Sequence, residues 1–460
     1  MAKIAALGAY FYQAALAFGL LIVLSHVLPP AEFAAYSLFV SIVQFAGIAC
    51  FEWLRFACNR FYPGPDDQSE RSEREAIVAE FLVSAILCPL GALAALAWGI
   101  SAPVALVGAL ATVLQSAGEL HLTLLRFQQA FRLFSWLQGL RATIFASATL
   151  GSAAVSADFD HVVLGILIAN FVYSAIAWLA TRRLLPLNPR WNKAAARRHL
   201  AYGGISAGAS VASLFAPLGL KAVLTTALSP AGAAAPMLAL DLLQRLFVLI
   251  VSSLQAIRYP ELVSLFDRSG EGPAMRQELG HYYALLAAFS LITVAGLMAL
   301  LGPAAELAVP EELRASFLRT APLLIIMALL RALTQTLLPT PAHLRRHLPA
   351  IAWLAAGDCV ATCAGALLAV WFYPGSDVAI AAGAAAGASV AIIGGSALLR
   401  LVAFSLPWQP VVLSGVAAVV SFACIRWFAG TPLLASASAL AATLLFGGPA
   451  CLALLRWVAR

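Results

Sequence analysis

Apolar residues run along this chain in blocks of about twenty or more, parted by short polar connectors, from its first residues to its last. At a rise of about 1.5 Å per residue, one such helical block crosses the roughly 30 Å of hydrocarbon in a bilayer. The blocks predict helices over 4–28, 33–57, 76–100, 103–125, 134–155, 161–181 and 201–228. They continue over 234–257, 280–302, 317–338, 349–373, 378–400, 410–429 and 433–455. The fold class that follows is an all-α integral membrane protein of about fourteen transmembrane helices. The first block follows a single Lys3 and is longer than the h-region of a cleaved leader, so 4–28 is read as the first span.

The connectors alternate in character. Segments 58–75, 126–133, 182–200, 258–279 and 339–348 carry Arg60, Arg71, Arg126, Arg132, Arg183, Arg197, Arg268 and Arg345 among others. The intervening connectors are turns of Pro, Gly, Asp and Glu, such as Pro29-Pro30-Ala31-Glu32 and Pro374-Gly375-Ser376-Asp377. Arg314 and Arg319 break the alternation, beside Glu306, Glu311 and Glu312. Positive connectors stay on the cytoplasmic side, which predicts a multi-pass chain with both termini in the cytoplasm.

Composition agrees. Hydrophobic residues make up 62% of the chain and charged residues 11%, too few charges to cover a soluble protein of this size. The net charge of +7 lies mostly in connectors, which argues for topology and against nucleic-acid binding. Of the seven cysteines, Cys359 and Cys363 sit four apart, and no further His or Cys pair completes a zinc site. No metal or cofactor is expected.

The chain also carries a trace of internal repetition. Displaced by 200 residues, Val23–Gln44 aligns with Val223–Gln244 without a gap, and Val23, Leu24, Leu28, Pro30, Ala31, Ala34, Ala35, Leu38 and Gln44 match their partners. Parallel repeats of this kind build two-lobed transporters. The predicted domains are a six-helix lobe over 1–181, a basic linker over 182–200, a second six-helix lobe over 201–400, and two additional helices over 401–460.

Two segments carry a family resemblance. The first helix closes on Leu24-Ser25-His26-Val27-Leu28-Pro29-Pro30-Ala31-Glu32-Phe33-Ala34-Ala35-Tyr36-Ser37, and the second on Glu52-Trp53-Leu54-Arg55-Phe56-Ala57-Cys58-Asn59-Arg60. This opening resembles that of Wzx-type polysaccharide (O-antigen) flippases of the multidrug/oligosaccharidyl-lipid/polysaccharide exporter superfamily. The chain keeps the Leu-Pro, Phe and Tyr-Ser of the family's turn, has alanine where a glycine is common, and lacks the arginine before the turn. Leu124-Leu125-Arg126-Phe127-Gln128-Gln129-Ala130-Phe131-Arg132 is similar to the family's short basic loop after the fourth helix. The resemblance implies two six-helix lobes around a central cavity in the bacterial inner membrane. It implies a lipid-linked oligosaccharide as cargo, flipped from the cytoplasmic to the periplasmic leaflet, and a polysaccharide polymerase or export complex as a partner besides membrane lipids.

No catalytic signature stands up. The lysines are Lys3, Lys193 and Lys221, none in a phosphate-binding glycine loop, and HExxH and CxxC are absent. Chemistry is therefore sought in charges within the predicted spans, each of which costs about 2.5–3.5 kcal/mol at a helix centre unless it faces protein or water. Lys221, Arg245, Arg331, Arg141 and Arg55 are candidate cavity cations. Asp241 lies one turn before Arg245 and Glu52 three residues before Arg55, so either arginine could instead be held by its own helix. Glu119, Asp358 and Asp241 are candidate coupling carboxylates, with His121 beside Glu119. Lys221, Arg331 and Arg141 against Glu119 and Asp358 leave a positive excess if unpaired, which suits an anionic pyrophosphate head group better than an organic cation. Pro217 and Gly219 mark a candidate hinge in the seventh span, and Gly204/Gly208 and Gly383/Gly387 predict close helix packing. A drug exporter of the same superfamily remains the alternative. A membrane-embedded glycosyltransferase, ligase or polymerase is a third reading, disfavoured because the outer connectors leave little room for a catalytic domain.

Overall fold

A computed structural model describes residues 2–62, 66–97, 100–270, 272–345 and 347–401. Among the described residues every regular element is an α-helix: α1 (Ala2–Val27), α2 (Pro30–Phe61), α3 (Asp67–Ala97), α4 (Ala102–Phe127), α5 (Phe131–Val155), α6 (Phe159–Thr181) and α7 (Lys193–Ala227). There follow α8 (Pro230–Ser269), α9 (Pro273–Ala308), α10 (Glu311–Thr336), the short α11 (Pro339–Leu344), α12 (Leu348–Phe372) and α13 (Asp377–Leu401). The long helices answer one for one to the first twelve predicted spans. The helices expected over 410–429 and 433–455 lie outside the described residues.

Ten stretches among the described residues are long and apolar enough to cross a bilayer, α5 and α8 being the long helices outside that set. The chain is a multi-pass all-α membrane protein. Its apolar side chains face outward as lipid requires: Ile86, Leu90, Phe171 and Trp371 are exposed, the last by 81%. α5, with Arg132, Gln138 and Arg141 among small residues, runs packed against both α1 and α6.

Helix starts follow from local chemistry. Pro30, Pro230 and Pro273 open α2, α8 and α9, where proline's missing N–H is no loss. Asn192 Oδ1 accepts from Ala194 N at 3.1 Å and Ala195 N at 3.2 Å, so α7 begins inside the basic stretch rather than at 201. α3 begins at Asp67, well ahead of its apolar block at 76, because its polar first turns satisfy one another through Arg71–Glu75 and Arg74–Glu70 at i,i+4. Asp158 caps α6 by accepting from His161 N at 2.9 Å. The Ser156 hydroxyl and the His161 backbone and ring hold its carboxyl at about 2, below the ordinary 3.8. A depressed acid stabilises the fold above its unfolded value, so this cap is intact above about pH 4 and is lost as the pH falls through about 2.

The described residues divide into two compact units. One holds those of Met1–Ala222 and Ser229–Ala231, the other those of Val223–Leu228 and Gly232–Arg460. In the first, α4 packs on α2, α3 and α6 around Leu122, Leu124, Leu125, Phe134, Leu137 and Tyr173. In the second, α13 packs on α10 and α12. The turns of the sequence repeat fall at positions 200 apart, Val27 and Ala227 closing one helix and Pro30 and Pro230 opening the next.

The two glycine pairs part company. At Gly383 and Gly387 an added Cβ would strike the backbone of α12 at Gly365 and Ala361, so the helices meet backbone to backbone as expected. Gly204 and Gly208 are not such a contact: a Cβ at Gly204 would meet only a leucine methyl of its own helix, and at Gly208 nothing. The close approach belongs to Gly203, whose Cβ would meet the backbone of Trp53 on α2. One residue rotates a helix face by about 100°, which a glycine count does not reveal.

Gly383→Ala should therefore destabilise the second unit by about 1–3 kcal/mol, because α12 and α13 must part. Gly394→Ala, where a Cβ meets open space, should be neutral or slightly stabilising. Thermal melts of the two variants in detergent compare them directly.

Candidate functional site

Of the candidate cations, Lys221, Arg141, Arg331 and Arg55 are held by protein groups. In the first unit Lys221, on α7 one turn after Pro217, is 1% exposed. Its Nζ donates to Ser41 Oγ at 2.7 Å and to the Ser37 carbonyl at 3.2 Å, both on α2, and Ser41 Oγ donates in turn to Ser37 O at 2.9 Å. An ammonium taken out of water needs such acceptors on each proton it can aim. Snorkelling to an interface does not describe this side chain.

Arg141 on α5 donates through Nη2 to Glu119 Oε1 on α4 at 3.1 Å, and its guanidinium lies 5.8 Å from the centroid of the Tyr173 ring on α6. Tyr173 itself packs against Gly118, where an added Cβ would strike the ring. Glu52 is buried on α2 and pairs with Arg55 three residues on, as its spacing allows, while Arg55 is about half exposed. Glu119 lies within electrostatic reach of Glu52, which sets the Glu52–Arg55 pair of α2 near the Glu119–Arg141 pair of α4 and α5. His121 has a different role. Thr181 Oγ1 donates to Ala177 O at 2.7 Å and accepts from His121 Nε2 at 2.5 Å, tying α4 to α6.

In the second unit Arg331 on α10 reaches Asp358 on α12, with Nε and Nη2 both 3.1 Å from Oδ2. Gln335 Nε2 donates to the same oxygen at 3.1 Å, and Thr362 Oγ1 approaches Oδ1 at 3.5 Å. Arg331 is 6% exposed and Asp358 1%. Asp241 and Arg245 stand four apart on α8, both half-buried. Pro217 and Gly219 lie inside the continuous α7.

One expectation is corrected here. Arg141 and Arg331 are not lone cations, because Glu119 and Asp358 pair with them. The partners lie 22 and 27 residues apart on different helices, beyond any i,i+4 rule. Burial supplies the reason: a lone charge among lipid-facing helices is costly, and a partner across the helix contact offsets much of that cost.

The sequence reading missed a second cluster. Glu73 and Glu80 on α3 meet His199 on α7, with Arg198 also on Glu73. Glu73 and Glu80 are seven apart, two turns on one helix face, and that spacing was the available signal. His199 stood in the stretch read as linker.

No family model matches the chain, and no curated protein matches it in sequence. Solved structures do match. The chain is similar to lipid II flippase MurJ in an inward closed conformation, with a TM-score of 0.75 at 10% identity over 98% of this chain and 100% of that one. It is similar to a multidrug resistance MATE family transporter of the MOP superfamily in its inward-facing conformation, with a TM-score of 0.67 at 13% identity over 85% and 93%. The outward-facing conformation of a multidrug resistance MATE family transporter of that superfamily gives 0.56 at 12% identity over 87% and 93%. At such identities the likeness establishes the fold, which this chain shares with these membrane transporters.

Asp358→Ala leaves the Arg331 guanidinium buried without its carboxylate and should destabilise the second unit by about 3–5 kcal/mol. Combining Asp358→Leu with Arg331→Met should recover most of that loss, since it removes both charges. Thermal unfolding of the single and double variants measures the difference.

Proposed function

We propose that this chain is a flippase that moves a polyprenyl-pyrophosphate-linked oligosaccharide from the cytoplasmic to the periplasmic leaflet of a bacterial inner membrane by alternating access, serving surface or exopolysaccharide synthesis. The observation that carries the reading is the full-length likeness to a protein described as a lipid II flippase, over 98% of this chain and 100% of that one. The proposed organisation is a six-helix lobe over 1–181, a basic linker over 182–200, a second lobe over 201–400 and two further helices, with both termini cytoplasmic. A polysaccharide polymerase or export complex is the proposed partner. The chain is read as a transporter and not an enzyme.

Pairing changes how the charges act. A pyrophosphate head group brings at least two negative charges into a poorly polarisable slab, where fixed cations offset its desolvation. Lys221 supplies one such charge in the apolar stretch of α7. Arg141 and Arg331 are already neutralised, so a phosphate can take them only by displacing Glu119 or Asp358. Protonation of either carboxylate releases its arginine to grip phosphate oxygens bidentately, and deprotonation on the far side returns it. In this scheme Glu119 and Asp358 couple cargo to a proton gradient, Arg55 and Arg245 lie near enough in sequence to a carboxylate to act likewise, and Asp241 stands to Arg245 as Glu52 does to Arg55. Pro217 and Gly219 let α7, which carries Lys221, bend as access alternates.

The second reading is a small-molecule exporter, favoured by the likeness to a multidrug resistance transporter at a TM-score of 0.67. Loss of the gene separates the two. The flippase reading expects lipid-linked glycan to accumulate on the cytoplasmic side; intact surface polysaccharide with altered drug sensitivity is the exporter's result. Lys221→Met should express normally and lower export about tenfold or more, the loss expected for one charged hydrogen-bonding group. In the same assay Pro217→Ala should slow export, and an unchanged rate would remove the hinge.

A further inference from the structure

Glu73, Glu80 and His199 take no part in the mechanism above, yet they form a closed ionic cluster wholly inside the first unit. His199 is 0% exposed and Glu80 is 1% exposed. Nδ1 of His199 lies 2.9 Å from Glu80 Oε2 and 3.1 Å from Oε1, and Nε2 lies 2.9 Å from Glu73 Oε2. Arg198 also binds Glu73. The Phe61 ring from α2 stacks on the imidazole at 5.3 Å, with the Arg198 guanidinium 4.8 Å from the same ring and Tyr202 against its edge. Arg71 pairs with Glu75 and Arg74 with Glu70 on the same helix; Glu70 also accepts from Tyr62 and Gln128, and Arg190 lies within electrostatic reach of Glu75.

Hydrogen counting decides what this cluster holds. An ionised carboxylate only accepts, so each of the two ring contacts needs a hydrogen on its nitrogen. Neutral imidazole carries one N–H and can satisfy one carboxylate; its other nitrogen would turn a lone pair toward the second at 2.9 Å. Both contacts together need one further proton within the cluster. With imidazolium the group Glu73, Glu80, His199 and Arg198 sums to zero charge. Without that proton it is left one negative charge in a buried place, with a repulsive contact across α3 and α7.

We propose that Glu73, His199 and Glu80 form a proton-binding site that latches the first turns of α7 to α3, so that release of its proton frees this end of α7. The helix is a single continuous element from here to Lys221, which gives the latch a physical route to the cargo-binding charge. Arg190 N, which donates to the Glu75 carbonyl at 3.0 Å, keeps the preceding extended segment close by when the latch opens. Proton binding stands on this geometry alone; its coupling to movement of cargo rests on the transport reading.

Two measurements on the whole purified protein test the site without any transport assay. Nitrogen-15 spectra of histidine-labelled protein, with the His199 signal assigned by its loss in His199→Gln, should show hydrogens on both ring nitrogens while the latch is closed. Backbone hydrogen exchange over 193–204, corrected for the intrinsic effect of pH, should speed up about tenfold as the pH is raised and this proton leaves. In His199→Gln the same segment should exchange at a rate independent of pH. A ring with one bare nitrogen, or exchange in the wild type that ignores pH, overturns the proposal. Should His199→Gln fail to fold, Glu80→Gln serves for assignment and the wild-type titration decides. Flipping of lipid-linked glycan is read separately, so a failed latch leaves the transport reading intact, and a failed flippase leaves the proton site intact.

Discussion

Hydrocarbon offers no hydrogen bonds, and this constraint explains more of the molecule than any other. It forces the backbone into helices, which satisfy their own polar groups, and it forces each ionic side chain in a helix to find a partner within protein. The partners found here are specific. Arg331 meets Asp358 and Gln335, Arg141 meets Glu119 and the face of Tyr173, Lys221 meets the carbonyl and hydroxyl of a serine turn, and His199 lies between two glutamates. Each arrangement crosses from one helix to another. The same contacts that make charges tolerable also tie the bundle together, and a proton arriving at any one of them alters both.

That double use links the structure to the proposed activity. A buried ion pair is a weak stabiliser by comparison with an apolar contact of equal volume, so its presence calls for a reason other than stability. Exchange of a carboxylate for a phosphate, gated by a proton, is such a reason. Arg331–Asp358 is almost fully enclosed, whereas Glu119 and Arg55 are considerably more open.

Much of the fold was legible in the chain because its governing signal is one-dimensional. Apolar block length predicts helices regardless of how they pack, and the twelve long described helices each cover a predicted span. Ends were less legible where polar turns satisfy themselves, as at Asp67–Glu75, or where Asn192 caps a helix inside a basic stretch. The candidate charges were legible as to depth and not as to partner. Residue spacing reveals an i,i+3 pair such as Glu52–Arg55, but the pairing of Arg141 with Glu119 depends on how α5 is rotated against α4. The glycines teach the same lesson: Gly203, not Gly204, meets the neighbouring helix. His199 escaped notice because a histidine among arginines in a connector resembles a solvated run, and only the stacked helices show that it is buried.

The proposed activity is carriage of a lipid-borne pyrophosphate glycan across the bilayer. Its most direct measurement is leaflet transfer in proteoliposomes that hold the purified protein and a fluorescent polyprenyl-pyrophosphate oligosaccharide, read by an impermeant quencher. Label should cross only in vesicles containing the protein, faster with a proton gradient, and slowly with Lys221→Met. Transfer no faster than in protein-free vesicles, by protein shown to be folded, would contradict it.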